Sequence, residues 1–228
     1  MAIPEVFYLA CALVPTALMA ALTGLALLRE VRTPRLWRVF QAGSLVALAF
    51  TGLSLAAPAN GVQGSGVVVA TTFGLVLALL VQLLGTVIAA FSARYLEGEA
   101  NQRHYIGALA AVLASVHLLL LADHWLLLIA TWTAVGMALQ RLLCFYADRP
   151  FALLAAHKKR IADRLADVML LGSMTLAWWE VGSGSLTALW AHIAQQGLSL
   201  PLQASAVLLV LAVTLRTALL PVHGWLIQ

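Results

Sequence analysis

Apolar positions along this chain gather into long runs, each near the 17–25 residues that a helix needs to cross a hydrocarbon layer. Polar punctuation separates them. The pattern predicts seven membrane-spanning helices near 7–28, 37–57, 67–91, 105–122, 125–146, 160–181 and 203–222. The first run is preceded by Met1-Ala-Ile-Pro-Glu5, with no basic lead, and is followed by Arg29, Arg32, Arg35 and Arg38. That is the reverse of a secretory signal, so it reads as a mature helix. Ala57-Pro-Ala-Asn-Gly61, with Gly64 and Gly66, reads as a turn-rich loop, and Gly182 to Gly184 does the same work after the sixth run.

Composition agrees with an all-α integral membrane protein. Of 228 residues, 63% are hydrophobic and only 10% charged, and the mean hydropathy is +0.97. One soluble core of this length could not bury so much apolar surface. The net charge of +4 comes from loop arginines rather than a basic patch, which argues against nucleic acid as a partner and for the lipid bilayer. Basic residues cluster in the first, third and fifth loops and are missing from the second, fourth and sixth. The positive-inside rule then puts the odd loops in the cytoplasm and the N-terminus outside. Cys11 and Cys144 lie in separate apolar runs and offer neither a disulfide framework nor metal spacing. No phosphate-binding loop, metal cluster or nucleophile motif is present, so no cofactor, metal or enzymatic chemistry is expected.

Charges inside apolar runs carry the functional signal, because such groups cost several kcal/mol unless they face protein or water. Arg216 falls within the seventh run, with Pro221 five residues on and His223 beyond it. Proline removes a backbone donor, so a broken helix lining an ion route is one reading; an arginine snorkelling to the cytoplasmic face is the other. Arg160, Asp163, Arg164 and Asp167 share one face of the sixth helix, preceded by Lys158 and Lys159. Asp163 and Asp167 are expected to pair with Arg160 and Arg164, and Asp167, the deepest carboxylate, with a cation from a neighbouring span. Arg141 is close enough to a span end to snorkel. His117, within the fourth run, reads as a hydrogen-bonded packing residue or as part of a proton relay. Asp123 reads as a helix cap.

Five separated segments then resemble a known family: FSARYLEGE (91–99), LADHWLLLIATWTAVG (121–136), LCFYADRP (143–150), RLADVMLL (164–171) and LRTALLPVHGWL (215–226). Their order is similar to the antiporter-like membrane subunits of respiratory complex I and of Mrp-type cation/proton antiporters. The resemblance implies an inverted-repeat fold, with residues 1–92 as an N-terminal three-helix segment and 93–228 as helices four to seven of an incomplete first repeat. It places the family's seventh-span lysine on Arg216, its helix break at Pro221, its sixth-span arginine and aspartate on Arg164 and Asp167, and its loop lysine on Lys158. The family's fifth-span carboxylate falls on Thr133, which cannot ionise, while Arg216 holds its proton too tightly for a lysine-type relay.

These departures, with the run Ala155-Ala-His-Lys-Lys-Arg-Ile-Ala-Asp-Arg-Leu-Ala-Asp167, most resemble the membrane subunit of DAB-type inorganic-carbon uptake systems. That resemblance implies a non-enzymatic subunit of a bacterial inner membrane. It would conduct H⁺ or Na⁺ and couple that flow to CO₂ hydration by a large carbonic-anhydrase-like zinc partner. Arg216, Asp167, Arg164, Lys158, Thr133, His117 and His223 are its expected ion-pathway residues. The alternatives are a proton-translocating subunit of a respiratory or Mrp-type complex, or a non-conducting anchor for a soluble partner.

Overall fold

The computed structural model describes residues 3–28, 31–56, 66–146 and 149–217. Among them are eight helices: α1 (Ile3–Leu27), α2 (Thr33–Ser54), α3 (Thr72–Tyr95), α4 (Gln102–Leu120), α5 (Trp125–Leu143), α6 (Pro150–Val181), α7 (Leu186–Gln196) and α8 (Leu200–Arg216). The all-α expectation holds. Five of the helices, α1 to α5, are long and apolar enough to cross a membrane.

The last two expected spans differ from the sequence reading. The sixth begins at Pro150 rather than near 160, because proline suits the first turn of a helix and an alanine- and leucine-rich stretch follows it. Its first half is charged, which takes α6 out of the apolar class. The seventh has 17 described residues and ends at Arg216. Arg216 therefore closes a helix, where a cation meets the partial negative charge of the last carbonyls. Pro221 and His223 lie outside the described residues. Between these two helices the structure adds α7, an 11-residue helix with no buried residue, too short for its pattern to register as a span.

The chain packs as two units, Met1–Ala122 and Asp123–Gln228. Within the first unit α4 packs against α1 and α3. In the first unit Gly85 lies where an added Cβ would stand 2.6 Å from Leu113 Cδ2, so α3 and α4 approach closely there. A buried polar chain ties three helices together. Gln82 on α3 donates to the backbone oxygen (3.1 Å) and hydroxyl (2.8 Å) of Ser44 on α2, and its Oε1 is 2.9 Å from His117 Nε2 on α4. The Ser44 hydroxyl also contacts Thr86 Oγ1 at 2.8 Å.

In the second unit α6 packs against α8 along a stripe of small residues. Ala166, Ala177 and Ala212 are buried with Leu170 and Leu202. At the centre, Ser173 and Ser205 exchange hydroxyl contacts at 2.9 Å, and Ser205 also donates to the Ser173 carbonyl at 2.8 Å. Small residues and hydroxyl pairs let helices meet closely where lipid supplies no hydrophobic drive. The expected capping role of Asp123 is also found, at a helix remote in sequence. Its carboxylate accepts from Thr187 N (3.0 Å), Thr187 Oγ1 (2.7 Å) and Ser185 Oγ (2.9 Å), at the start of α7.

Asp123→Ala is therefore expected to remove a buried charged acceptor from three donors. It should lower the unfolding free energy in detergent by about 2 kcal/mol or more and make α7 the first site of protease cleavage. Unchanged thermal unfolding and an intact α7 would refute this role.

Candidate functional site

The charged stripe of α6 is set by its spacing. Lys159, Asp163 and Asp167 recur every fourth residue and so lie above one another on one face. Ala162, Ala166 and Leu170 on an adjoining stripe are buried, which brings that face into the packed interior of the unit. Lys159 Nζ donates to Asp163 Oδ2. From the end of α8, Arg216 Nη2 donates to Asp167 Oδ1, and its Nε stands 3.8 Å from Asp163 Oδ1. Side-chain exposure falls from 15% at Asp167 to 13% at Asp163, 9% at Arg216 and 5% at Lys159. Two buried cations thus face two nearly buried carboxylates. A single charge so placed would cost several kcal/mol; the balanced quartet offsets part of that penalty.

Helix α5 supplies the third wall. Arg216 Nη1 donates to the Trp132 carbonyl, and the guanidinium lies 5.5 Å from the centre of the Trp132 ring, a cation–π distance. Thr133 Oγ1 donates to Asp167 Oδ1 at 3.3 Å. At Gly136 the charges lie against the helix: an added Cβ would meet Asp163 Oδ2 at 3.1 Å and Arg216 Nη1 at 3.3 Å. Beside the quartet lies a cavity of about 340 Å³. Asp163, Asp167 and Arg216 line it, along with Gln140, Arg141, Arg160 and Arg164. Two buried atoms of this lining, Arg216 Nε and Gln140 Oε1, have no hydrogen-bond partner among the described residues.

The sequence-predicted residues divide sharply. Arg216, Asp167 and Thr133 are brought together. Arg164 stays at the rim, with a 71% exposed side chain and a 4.0 Å approach to Asp167. Lys158 is exposed, and the buried lysine is its neighbour Lys159. Asp163 pairs with Lys159 and Arg216 rather than with Arg160. One residue of helix separates Lys158 from Lys159 by about 100°, and only Lys159 stands four residues before Asp163. That spacing was the available signal. His117 belongs to the first unit, buried against Gln82. His223 lies outside the described residues. No group of three or more potential metal ligands occurs among the described residues.

Comparison with known proteins shows what the chain is similar to. Residues 122–228 match the family model "NADH:quinone oxidoreductase/Mrp antiporter, TM". The chain is 36% identical to the "Probable inorganic carbon transporter subunit DabB2" of Halothiobacillus neapolitanus over 90% of its own length and 39% of that protein's. It is 35% identical to the "Probable inorganic carbon transporter subunit DabB" of Hydrogenovibrio crunogenus over 68% of its length and 30% of that protein's. The chain thus spans well under half of these relatives. A chain in the structure of respiratory complex I from Thermus thermophilus with bound aureothin superposes with a TM-score of 0.76. It covers 92% of this chain and 45% of its own length at 21% identity, a likeness of fold.

Two substitutions test the quartet. Lys159→Met should leave Asp163 underneutralised and cost about 3 kcal/mol, whereas Lys158→Met should leave denaturant unfolding in detergent unchanged. Gly136→Ala should drive a methyl group between Asp163 and Arg216 and destabilise by about 1–3 kcal/mol. Equal behaviour of the two lysine variants would contradict the assignment of Lys159 to the buried pair.

Proposed function

From a chain whose C-terminal half carries the transmembrane domain of the NADH:quinone oxidoreductase/Mrp antiporter family, we propose an ion-conducting membrane subunit of an energy-coupled inorganic-carbon uptake complex. The observation that carries this reading is the buried, charge-balanced quartet of Lys159, Asp163, Asp167 and Arg216 beside a cavity. Buried ion pairs stabilise weakly for what they cost in desolvation, and ionisable groups within membrane bundles mark ion routes.

The conducted ion is H⁺ or Na⁺, and the roles divide by chemistry. Arg216 is a fixed cation, since a guanidinium does not release its proton near neutrality. Lys159 and Asp163 form the adjoining ion pair, with ammonium and carboxylate in direct contact. Thr133 orients Asp167 through its hydroxyl. Arg164, at the rim, tunes the field felt by Asp167. Residues 93–228 are read as part of a first antiporter-like repeat. The job coupled to ion flow is hydration of CO₂ by a carbonic-anhydrase-like zinc partner in a bacterial inner membrane, with the N-terminus outside. The names of the two relatives above support inorganic carbon as the cargo. A driving force of about 2.3 kcal/mol per charge per 100 mV is enough to bias such hydration.

A second reading, a non-conducting anchor, is favoured by one feature: Lys158 and Arg160 are exposed at the start of α6 and suit docking of a soluble partner.

Asp167→Asn in the full-length subunit, expressed with its partner, is expected to abolish ion-dependent inorganic-carbon uptake while membrane abundance and co-purification of the partner persist. Uptake at the unsubstituted level would reject the conduction role. Lys158→Glu alone should leave uptake standing if the subunit conducts; release of the partner by that substitution would favour the anchor.

A further inference from the structure

We propose that a groove between α2 and α3 holds one anionic phospholipid of the surrounding bilayer, with an acyl tail along the groove and its phosphate at Arg94. The groove belongs to the first unit, so the inference is independent of the quartet and of the functional reading above.

Shape is the first argument. Leu45 on α2 and Val87, Ala90 and Phe91 on α3 form apolar walls, Gln41 and Thr86 add polar groups, and Arg94 and Tyr95 complete the lining. The groove encloses about 1040 Å³. Leu45, Val87, Ala90 and Phe91 are all exposed, so a ligand reaches the walls directly. From Thr86 to Arg94 the groove follows α3 for about 12 Å, at roughly 1.5 Å per residue. That is close to the depth of one leaflet, half of a hydrocarbon core about 30 Å thick. Both helices are long and apolar enough to cross a membrane, and an apolar recess at that depth stays free of water. Thr86 needs none, because its hydroxyl donates to the Gln82 carbonyl at 2.8 Å and contacts Ser44 Oγ at 2.8 Å. A lipid tail matches such a groove in length and in polarity.

The second argument is that charge gathers at one end. Arg94 stands in the last turn of α3, exposed and outside every ion pair among the described residues. Tyr105 on α4 fixes which part of α2 lies level with it. Its ring is 6.3 Å from that of Trp37, and its hydroxyl is 2.8 Å from Ser92 Oγ. Arg38, next to Trp37, therefore lies at the same end of the pair of helices as Arg94. No carboxylate lines the groove; Glu97 and Glu99 follow the end of α3. Cations at the end of an apolar groove suit an amphiphile with an anionic head. A zwitterionic head would bring its own cation towards the same arginines. The Tyr95 ring stacks on Phe91 with centroids 5.5 Å apart and planes at 18°, which extends the flat wall to the rim. Amphipathic aromatic rings favour that headgroup level.

Native mass spectrometry of the full-length subunit, released from bilayers of equal phosphatidylglycerol and phosphatidylcholine, tests this directly. One retained phosphatidylglycerol per subunit is expected, at least about fivefold in excess over phosphatidylcholine. Arg94→Gln should lower that retention about fivefold, the effect of one basic residue at an anionic bilayer surface. Arg32→Gln, which removes an exposed arginine outside the groove, should leave it unchanged. Ala90→Trp fills the groove from an exposed position and should abolish retention of both lipids, while circular dichroism and thermal unfolding show that the variants fold. Equal retention of the two lipids would overturn the proposal. So would an Ala90→Trp variant that retains phosphatidylglycerol as before, or an equal loss on Arg32→Gln and Arg94→Gln. Displacement of the lipid by an equal concentration of free glycerol phosphate would also overturn it, since the anion would then bind without the groove.

Discussion

The guanidinium of Arg216 has to be neutralised, and much of the second unit is arranged so that it is. It sits at the end of an apolar helix with nine-tenths of its side chain buried. Asp163 and Asp167 lie one turn apart on α6, so both address the guanidinium in one register of α6 against α8. The small-residue stripe and the Ser173–Ser205 contact hold that register further along the same pair of helices. On α5, Gly136 is the residue at which the charges approach the helix without a side chain in the way, and the Trp132 carbonyl takes a remaining guanidinium hydrogen. Slippage of α6 by one residue would swing both carboxylates about 100° away from Arg216.

Charge balance also shapes what the site can do. An arginine in this position supplies a permanent field and does not itself release a proton. On α6 a lysine and an aspartate are in contact, and the aspartate also faces Arg216 from α8.

The first unit uses buried polarity for a different purpose. Ser44, Gln82 and His117 sit on three helices with nearly all their polar atoms turned on one another. A satisfied network of this kind specifies which helices meet and in what rotation, because any other arrangement strands an amide or an imidazole in an apolar interior. Asp123 does comparable work in the second unit by gathering three donors at the start of α7.

The class of protein was legible in the sequence. Long apolar runs, sparse charge and loop arginines dictate membrane helices whatever their packing, since only helices or closed barrels satisfy the backbone in lipid. The fourfold spacing of Asp163 and Asp167, and the presence of Arg216 in an apolar run, were equally open to view, and Arg216, Asp167 and Thr133 do meet. Distances between helices were not legible, because hydrophobic periodicity says which face is buried but not what it is buried against. Only the tertiary structure therefore chose Lys159 over Lys158, gave Asp163 to Arg216 rather than Arg160, carried Asp123 to a helix more than sixty residues away, and left Arg164 in solvent. Local spacing determines which charges can share a face. The packing of α5, α6 and α8 decides which of them share a partner, since that depends on contacts between residues far apart in the chain.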